Sequence, residues 1–372
     1  MSDKAVNAGV TAQTGFELQR NCALLLLLEN YDFYKDKDFF LCIEHQDDFL
    51  FAFTTDNYKT LLKVDTYQSK KKSGAVWKIN ADFGEVITKI LGVGTTLRKD
   101  NMPKSKIYGH VLTFISNTGM SLEYNPTKKM QSSGEKPESC HINEQNEKQI
   151  FKDLPQSIQD RFNTQVKKHC QNKLIKVDES EFDNLSFQWV DFPKTANKQK
   201  EALIGLMHTK FPHVVDSKAS IELFIELFKR VEQIYNQKDI ASLLDESKRL
   251  YGHDLKKTLD IIQVEQKTYE KWRENANSFG PAFRIPIFIQ ESAEDKIRET
   301  FEYFKDLSNF EHLEIKNFVA INDYRLICYD VPEMFRLYVT DVKKHIKISL
   351  DDIDVFFACL CAYVEFYDKD FL

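Results

Sequence analysis

The sequence predicts an α/β domain followed by a mainly α-helical one, and three observations carry that prediction. Its 372 residues exceed the ~250–300 at which one hydrophobic core stops growing, so two domains are expected. The first half interleaves helical periodicity with short, aromatic-rich strand segments, whereas from Ser217 onward apolar residues recur at three- and four-residue intervals. The pattern turns polar near Asn236 to Asp239, which sets the expected domains at 1–237 and 238–372.

Taken in order, Gly15 to Asn30 reads as a helix, because Phe16, Gln19, Ala23 and Leu26 to Leu27 recur at helical spacing among good helix formers. Phe39 to Glu44, Asp48 to Phe53 and Leu61 to Ser69 read as three strands, each apolar, aromatic-rich and bounded by polar turns. Lys70 to Gly74 is a basic turn, and Ala81 to Leu91 is a second helix despite Gly84. Strands return at His110 to Ser116 and Leu185 to Val190, while Asn125 to Lys148, rich in Lys, Ser, Glu, Asn and Pro, is expected to be a long loop. Ala219 to Gln237, Leu255 to Lys271, Glu291 to Leu307, Val331 to Lys344 and Ser349 to Phe366 are the helices of the second half. The last is apolar enough to dock against this chain or a partner, and packing inside its own domain is the commoner outcome.

A hydrophobic content of 42% excludes a disordered chain. The net charge of -6 gives no global attraction to nucleic acid, so a DNA site must be a local basic patch. Lys71 and Lys72, with Arg98 and Lys104 from the stretch Arg98 to His110, are the candidates for one. The seven cysteines lack zinc-ribbon spacing, and Cys140-His141 and His169-Cys170 are adjacent pairs rather than spaced ligands, so reduced structural thiols are expected. The polar N-terminus has no secretory pattern and the apolar run Cys22 to Leu28 is too short to span a bilayer, so a cytoplasmic protein without membrane contact is expected. No G-x-S-x-G elbow supports nucleophilic catalysis, and no G-x-x-x-x-G-K-[ST] loop supports ATP hydrolysis.

The chemistry-bearing stretch is CIEHQDDFLFAF, a turn, then LLKVDTYQSKKKSG. Residues two apart in a strand point to one face, so Gln68 and Lys70 belong together, and an acidic residue entering the preceding strand converges on them across a hairpin. Phosphodiester cleavage needs oxygens to hold a divalent metal and a cation to meet charge developing on the phosphate. Asp48 is the expected metal anchor, with Asp47 as the alternative. Gln68 assists it, and Lys70 stands beside the reacting phosphate. The remaining ligand lies open between Glu44, Glu17 and water. His45 is expected as a surface residue near a turn, although an imidazole there would be placed to act as a general base.

E-x-x-x-D at Glu44 and Asp48, followed by Y-Q-x-K at Tyr67 to Lys70, resembles a PD-(D/E)xK nuclease in its glutamine-bearing variant. Gly15, Phe16 and Gln19 resemble the G-F-x-x-Q opening of the double-strand DNA endonuclease domain of bacterial anti-phage systems, including the effector of CBASS operons, and Trp77 resembles that domain too. The resemblance implies a restriction-endonuclease-like domain with a mixed central sheet flanked by helices, and Mg2+ or Mn2+ as cofactor. It also implies cleavage of double-stranded DNA with little sequence preference. Gln68 replaces the usual second carboxylate and removes one negative charge from the metal site. The helical half, through Trp272 to Gln290, resembles the nuclease subunits of Lamassu-type systems. That implies an SMC-like ABC ATPase and a small accessory subunit as partners, with homo-oligomerisation on activation. The rival expectation is a catalytically inactive nuclease-fold subunit that binds DNA or bridges partners.

Overall fold

The computed structural model describes residues 8–72, 76–132, 134–212, 214, 216–234, 242–306 and 308–367. The chain divides into two compact units, one of residues 1–212 and 217–256 and one of 213–216 and 257–372. The expected junction at Asn236 to Asp239 lies outside the described residues, as does Gly74 in the basic turn.

The first unit opens with α1 (Ala8–Glu29) and the single turn α2 (Tyr31–Tyr34), followed by β1 (Phe39–His45), β2 (Asp47–Thr55), β3 (Thr60–Ser69) and the short β4 (Trp77–Lys78). Next come α3 (Ala81–Lys99), β5 (Lys104–Ser116), β6 (Met120–Tyr124), α4 (Lys128–Ser132), β7 (Glu138–Ile142) and β8 (Lys148–Ile150). α5 (Gln156–Lys173), β9 (Leu185–Trp189), α6 (Ala196–Lys210), α7 (Ser217–Glu232) and β10 (Leu250–Tyr251) complete it. Seven strands form a mixed sheet in the order β10-β1-β2-β3-β5-β9-β8, parallel at β3/β5 and β5/β9 and antiparallel at its other pairings. β4, β6 and β7 form a second, small sheet.

Strand alternation sends the two halves of each aromatic run to opposite faces. Phe40, Cys42, Leu50, Ala52, Leu112 and Phe114 share a core with Phe83 and Ile87 of α3 and Phe162 of α5. α1 packs against β2 and β3 and, outward, against α6 and α7. Every residue from Leu18 to Leu28 is therefore buried, as expected of a helix covered on all sides.

The second unit is helical: the remainder of α8 (Gly252–Ala282), then α9 (Ile287–Glu291), α10 (Ala293–Lys305), α11 (Phe310–Ile321), α12 (Val331–His345) and α13 (Asp352–Tyr367). Val355 to Val364 of α13 are all buried in a core with Trp272, Phe301, Val319 and Phe335, so the C-terminal helix is the centre of its own unit. Among the described residues no helix is long and apolar enough to cross a membrane.

Three expectations change. The Asn125 to Lys148 loop contains α4 and β7, and β7 escapes notice because only Ile142 of ESCHI is fully buried. The basic stretch Arg98 to His110 is divided between two elements, since α3 continues to Lys99 and β5 begins at Lys104. His45 is 1% exposed, and its Nε2 pairs with the Ser242 carbonyl at 2.9 Å, so it is no surface residue.

Candidate active site

Three neighbouring strands bring the chemistry-bearing residues to one end of the sheet. The β1/β2 register pairs Ile43 with Phe49 and His45 with Asp47, which sets Glu44 level with Asp48. The β2/β3 register pairs Phe49 with Tyr67, which sets Asp48 level with Gln68. This is the carboxyl end of β3 and β5, where parallel strands leave room for ligands in α/β sheets.

Asp48 is the hub. Its Oδ2 accepts from the Ser69 backbone N at 2.8 Å, from Ser69 Oγ at 3.2 Å and from Lys70 Nζ at 3.5 Å. The Lys70 side chain is 37% exposed, and an ion pair so open to water contributes only about 0–1 kcal/mol to stability. The pair positions charge rather than holding the fold. Gln68 is 7% exposed, and among the described residues its side-chain amide makes no hydrogen bond.

Glu44 has φ 53°, which breaks strand alternation, and its carboxylate receives the Gln19 amide of α1. Burial raises the Glu44 pKa; the Gln19 hydrogen bond opposes that rise and the Asp48 charge adds to it. Asp47 is pushed well above the ordinary carboxylate range, by burial first and then by the Asp48 charge. Its Oδ1 accepts from the Asp48 backbone N at 3.0 Å, but its Oδ2 is buried without a hydrogen-bond partner. The sequence thus brings Glu44, Asp47, Asp48, Gln68 and Lys70 together, with Gln19 as a support for Glu44.

An oxygen-only set with one orphaned carboxylate oxygen and an unused amide oxygen fits a hard divalent cation, which prefers carboxylate, amide carbonyl and water ligands. Among the described residues no group of three or more His, Cys, Asp or Glu side chains stands ready to hold a metal, so the fit depends on the Gln68 amide.

The other expected residues are dispersed. Glu17 lines a pocket together with Glu44. Lys71 is exposed, whereas Lys72 donates to the Val76 carbonyl at 3.4 Å and lies 5.0 Å over the Trp77 ring. Arg98 Nε lies 2.6 Å from Glu181 Oε1, and Lys104 donates to the backbone carbonyls of Asp100 and Met102. Arg98 and Lys104 are therefore engaged in local contacts rather than gathered with Lys71 and Lys72.

Sequence reasoning missed Ser116, 1% exposed at the end of β5. Its Oγ donates to the Lys70 carbonyl at 2.8 Å and accepts from Trp77 Nε1 at 3.1 Å and the Thr118 backbone N at 3.1 Å. With the Lys70 N donating to the Ile115 carbonyl at 3.1 Å, this fixes the backbone that presents Lys70. The shared hydroxyl also explains why Trp77 belongs with the site. A lone serine ending an apolar strand carries no sequence signal of that role.

A family model described as the Cap4 dsDNA endonuclease domain matches residues 7–233. No curated protein and no solved structure matches the chain.

Proposed function

The chain belongs to the Cap4 dsDNA endonuclease domain family, and on that premise we propose that it hydrolyses double-stranded DNA at the centre formed by Asp48, Gln68 and Lys70, with Mg2+ or Mn2+ as cofactor. The supporting observation is the convergence of β1, β2 and β3 on a carboxylate cluster in which one Asp47 oxygen is buried without a donor and one lysine reaches Asp48 from a half-exposed position. The domain is restriction-endonuclease-like, and its mixed sheet with helices on both sides is consistent with that class.

Asp48, which also accepts from Ser69 and Lys70, would hold the cation together with Gln68 and Glu44. Bound there, the cation lowers the pKa of a water and polarises the phosphate. Lys70 Nζ meets the negative charge that develops on the phosphate oxygens, and removing one such preorganised donor costs about 10²–10³ in rate. Ser116 and Ser69 hold Lys70 and Asp48 in register.

The setting proposed is bacterial anti-phage defence, with the helical unit holding the nuclease inactive until a DNA-sensing partner releases or oligomerises it. The partner class is an SMC-like ABC ATPase with a small accessory subunit. Leu326 and Tyr329, 89% and 98% exposed on the helical unit, support a surface for partner contact.

Plasmid cleavage tests the core of this function. Wild-type protein, alone and with its neighbouring gene products, is incubated with supercoiled plasmid in Mg2+, Mn2+ or EDTA beside Lys70→Ala. Cleavage that needs metal and is lost in Lys70→Ala, with thermal unfolding unchanged, is expected. A fully assembled wild type that cuts nothing in either metal would favour the inactive, DNA-binding subunit.

A further inference from the structure

A pocket of about 970 Å3 opens beside the candidate centre, bounded by α1, α6, α7 and Glu44 of β1. α6 begins in its wall, at Ala196 and Asn197. The N-cap Thr195 makes no side-chain capping hydrogen bond, and the first turn holds no acidic residue. The first amides of a helix have no intrahelical acceptor and carry the positive end of its dipole, so an uncapped start of this kind receives an oxyanion.

Arg20 supplies an independent sign of a missing ligand. It lines the same pocket and is 8% exposed, and its Nε is buried without a hydrogen-bond partner while its terminal nitrogen pairs with Glu232 at 2.6 Å. A buried donor left unmade costs free energy that a ligand oxygen would recover. Lys200 and Lys229 reach the pocket from α6 and α7, and the Lys200 pair with Glu222 at 2.6 Å is half-exposed and cheap to exchange. Three acidic side chains line it as well, Glu17 of α1, Glu44 of β1 and Glu232 of α7, the last paired with Arg20.

We propose that the α6 end of this pocket binds a backbone phosphate of the substrate DNA flanking the one being cut, using the α6 amides, Lys200 and Arg20. This deepens the nuclease function proposed above and rests on it. A contact to phosphate positions the duplex without reading bases, in keeping with cleavage of little sequence preference.

Binding of a fluorescent DNA duplex to the full chain carrying Lys70→Ala, titrated across salt concentrations, tests the assignment. Asn197→Asp places a negative charge on the uncapped turn, and Lys200→Gln removes a cation. Each is expected to weaken binding by roughly 3- to 10-fold and to reduce the slope of log K against log salt by about 1. In the cleavable background KM rises while kcat is largely kept. Circular dichroism and thermal unfolding establish that both surface variants are folded. Unchanged affinity and salt slope in both variants would overturn the pocket assignment even if the wild type cuts DNA. Because the readout is binding, a wild type that cuts no DNA sinks the nuclease function alone, provided the two variants still weaken the duplex complex.

Discussion

Two polar clusters buried in the same α/β unit are finished in opposite ways. Glu181, 0% exposed, has cationic and donor groups against it: Arg98 Nε forms an ion pair 2.6 Å from its Oε1, without hydrogen-bond geometry, and His110 Nε2 at 2.7 Å and Asn184 Nδ2 at 2.8 Å meet its Oε2. Gly94 makes room for it, since a Cβ there would stand 2.4 Å from Glu181 Oε2. At the ends of β1 to β3, by contrast, Asp47 keeps a buried oxygen without a donor, Glu44 and Asp47 are pushed up by burial, and the Gln68 amide is unused. Burying charge costs several kcal/mol unless it is paired; Glu181 has Arg98 against it, whereas among the described residues Asp47 makes no ion pair, and that carboxylate asks for something the fold does not supply. The Glu181 cluster is read as structural, and the Asp48 cluster is where the proposed function puts a cation and a phosphate.

The largest effect that would break this contrast belongs to the closed cluster. Glu181→Ala strands His110 and Arg98 and is expected to cost about 3–5 kcal/mol in denaturant unfolding, nearer the low end because Arg98 stays half-exposed. Activity per folded molecule should be unchanged, and a fully stable but inactive variant would mean that the wrong cluster was assigned to catalysis. In the open cluster the effects should reverse: Lys70→Ala loses about 10²–10³ in cleavage rate and leaves the unfolding midpoint in place.

Gly94→Ala presses a methyl group into the Glu181 carboxylate and is expected to destabilise by about 1–3 kcal/mol. The smallest effect is Asp47→Asn. A carboxyl whose pKa is raised on folding costs nothing in acid, where it is protonated in both states. Stability is lost as pH rises from the ordinary value of 3.8 through the raised folded one. In EDTA the variant should therefore match the wild type at low pH and unfold at a higher temperature near neutrality. A lower melting temperature there would show that the Asp47 charge is already satisfied.

Much of this was legible in the chain. β1, β2 and β3 emerge within two residues of the runs that predict them: β1 and β2 are buried on both faces and leave near-continuous Phe-rich segments, while β3 alternates buried and less buried residues. Asp48, Gln68 and Lys70 follow from that strand order, and the register brings them level. α5 was not singled out, since its inward face is carried by Ile158, Phe162 and Val166 alone among polar neighbours. Long-range partners leave no local trace: Ser116 reaches Lys70 across 46 residues, and Gln199 of α6 meets Asn21 of α1 across 178. For the same reason Arg98 and Lys104 read as a free basic stretch, when one faces Glu181 and the other its own backbone.

Binding of Mn2+ followed by electron paramagnetic resonance tests the contrast most directly. Wild type and Glu181→Gln should each take up one Mn2+ with equal affinity, and Asp48→Asn should take up none at that site. Equal uptake by Asp48→Asn and wild type would contradict the assignment of the open cluster as the metal centre.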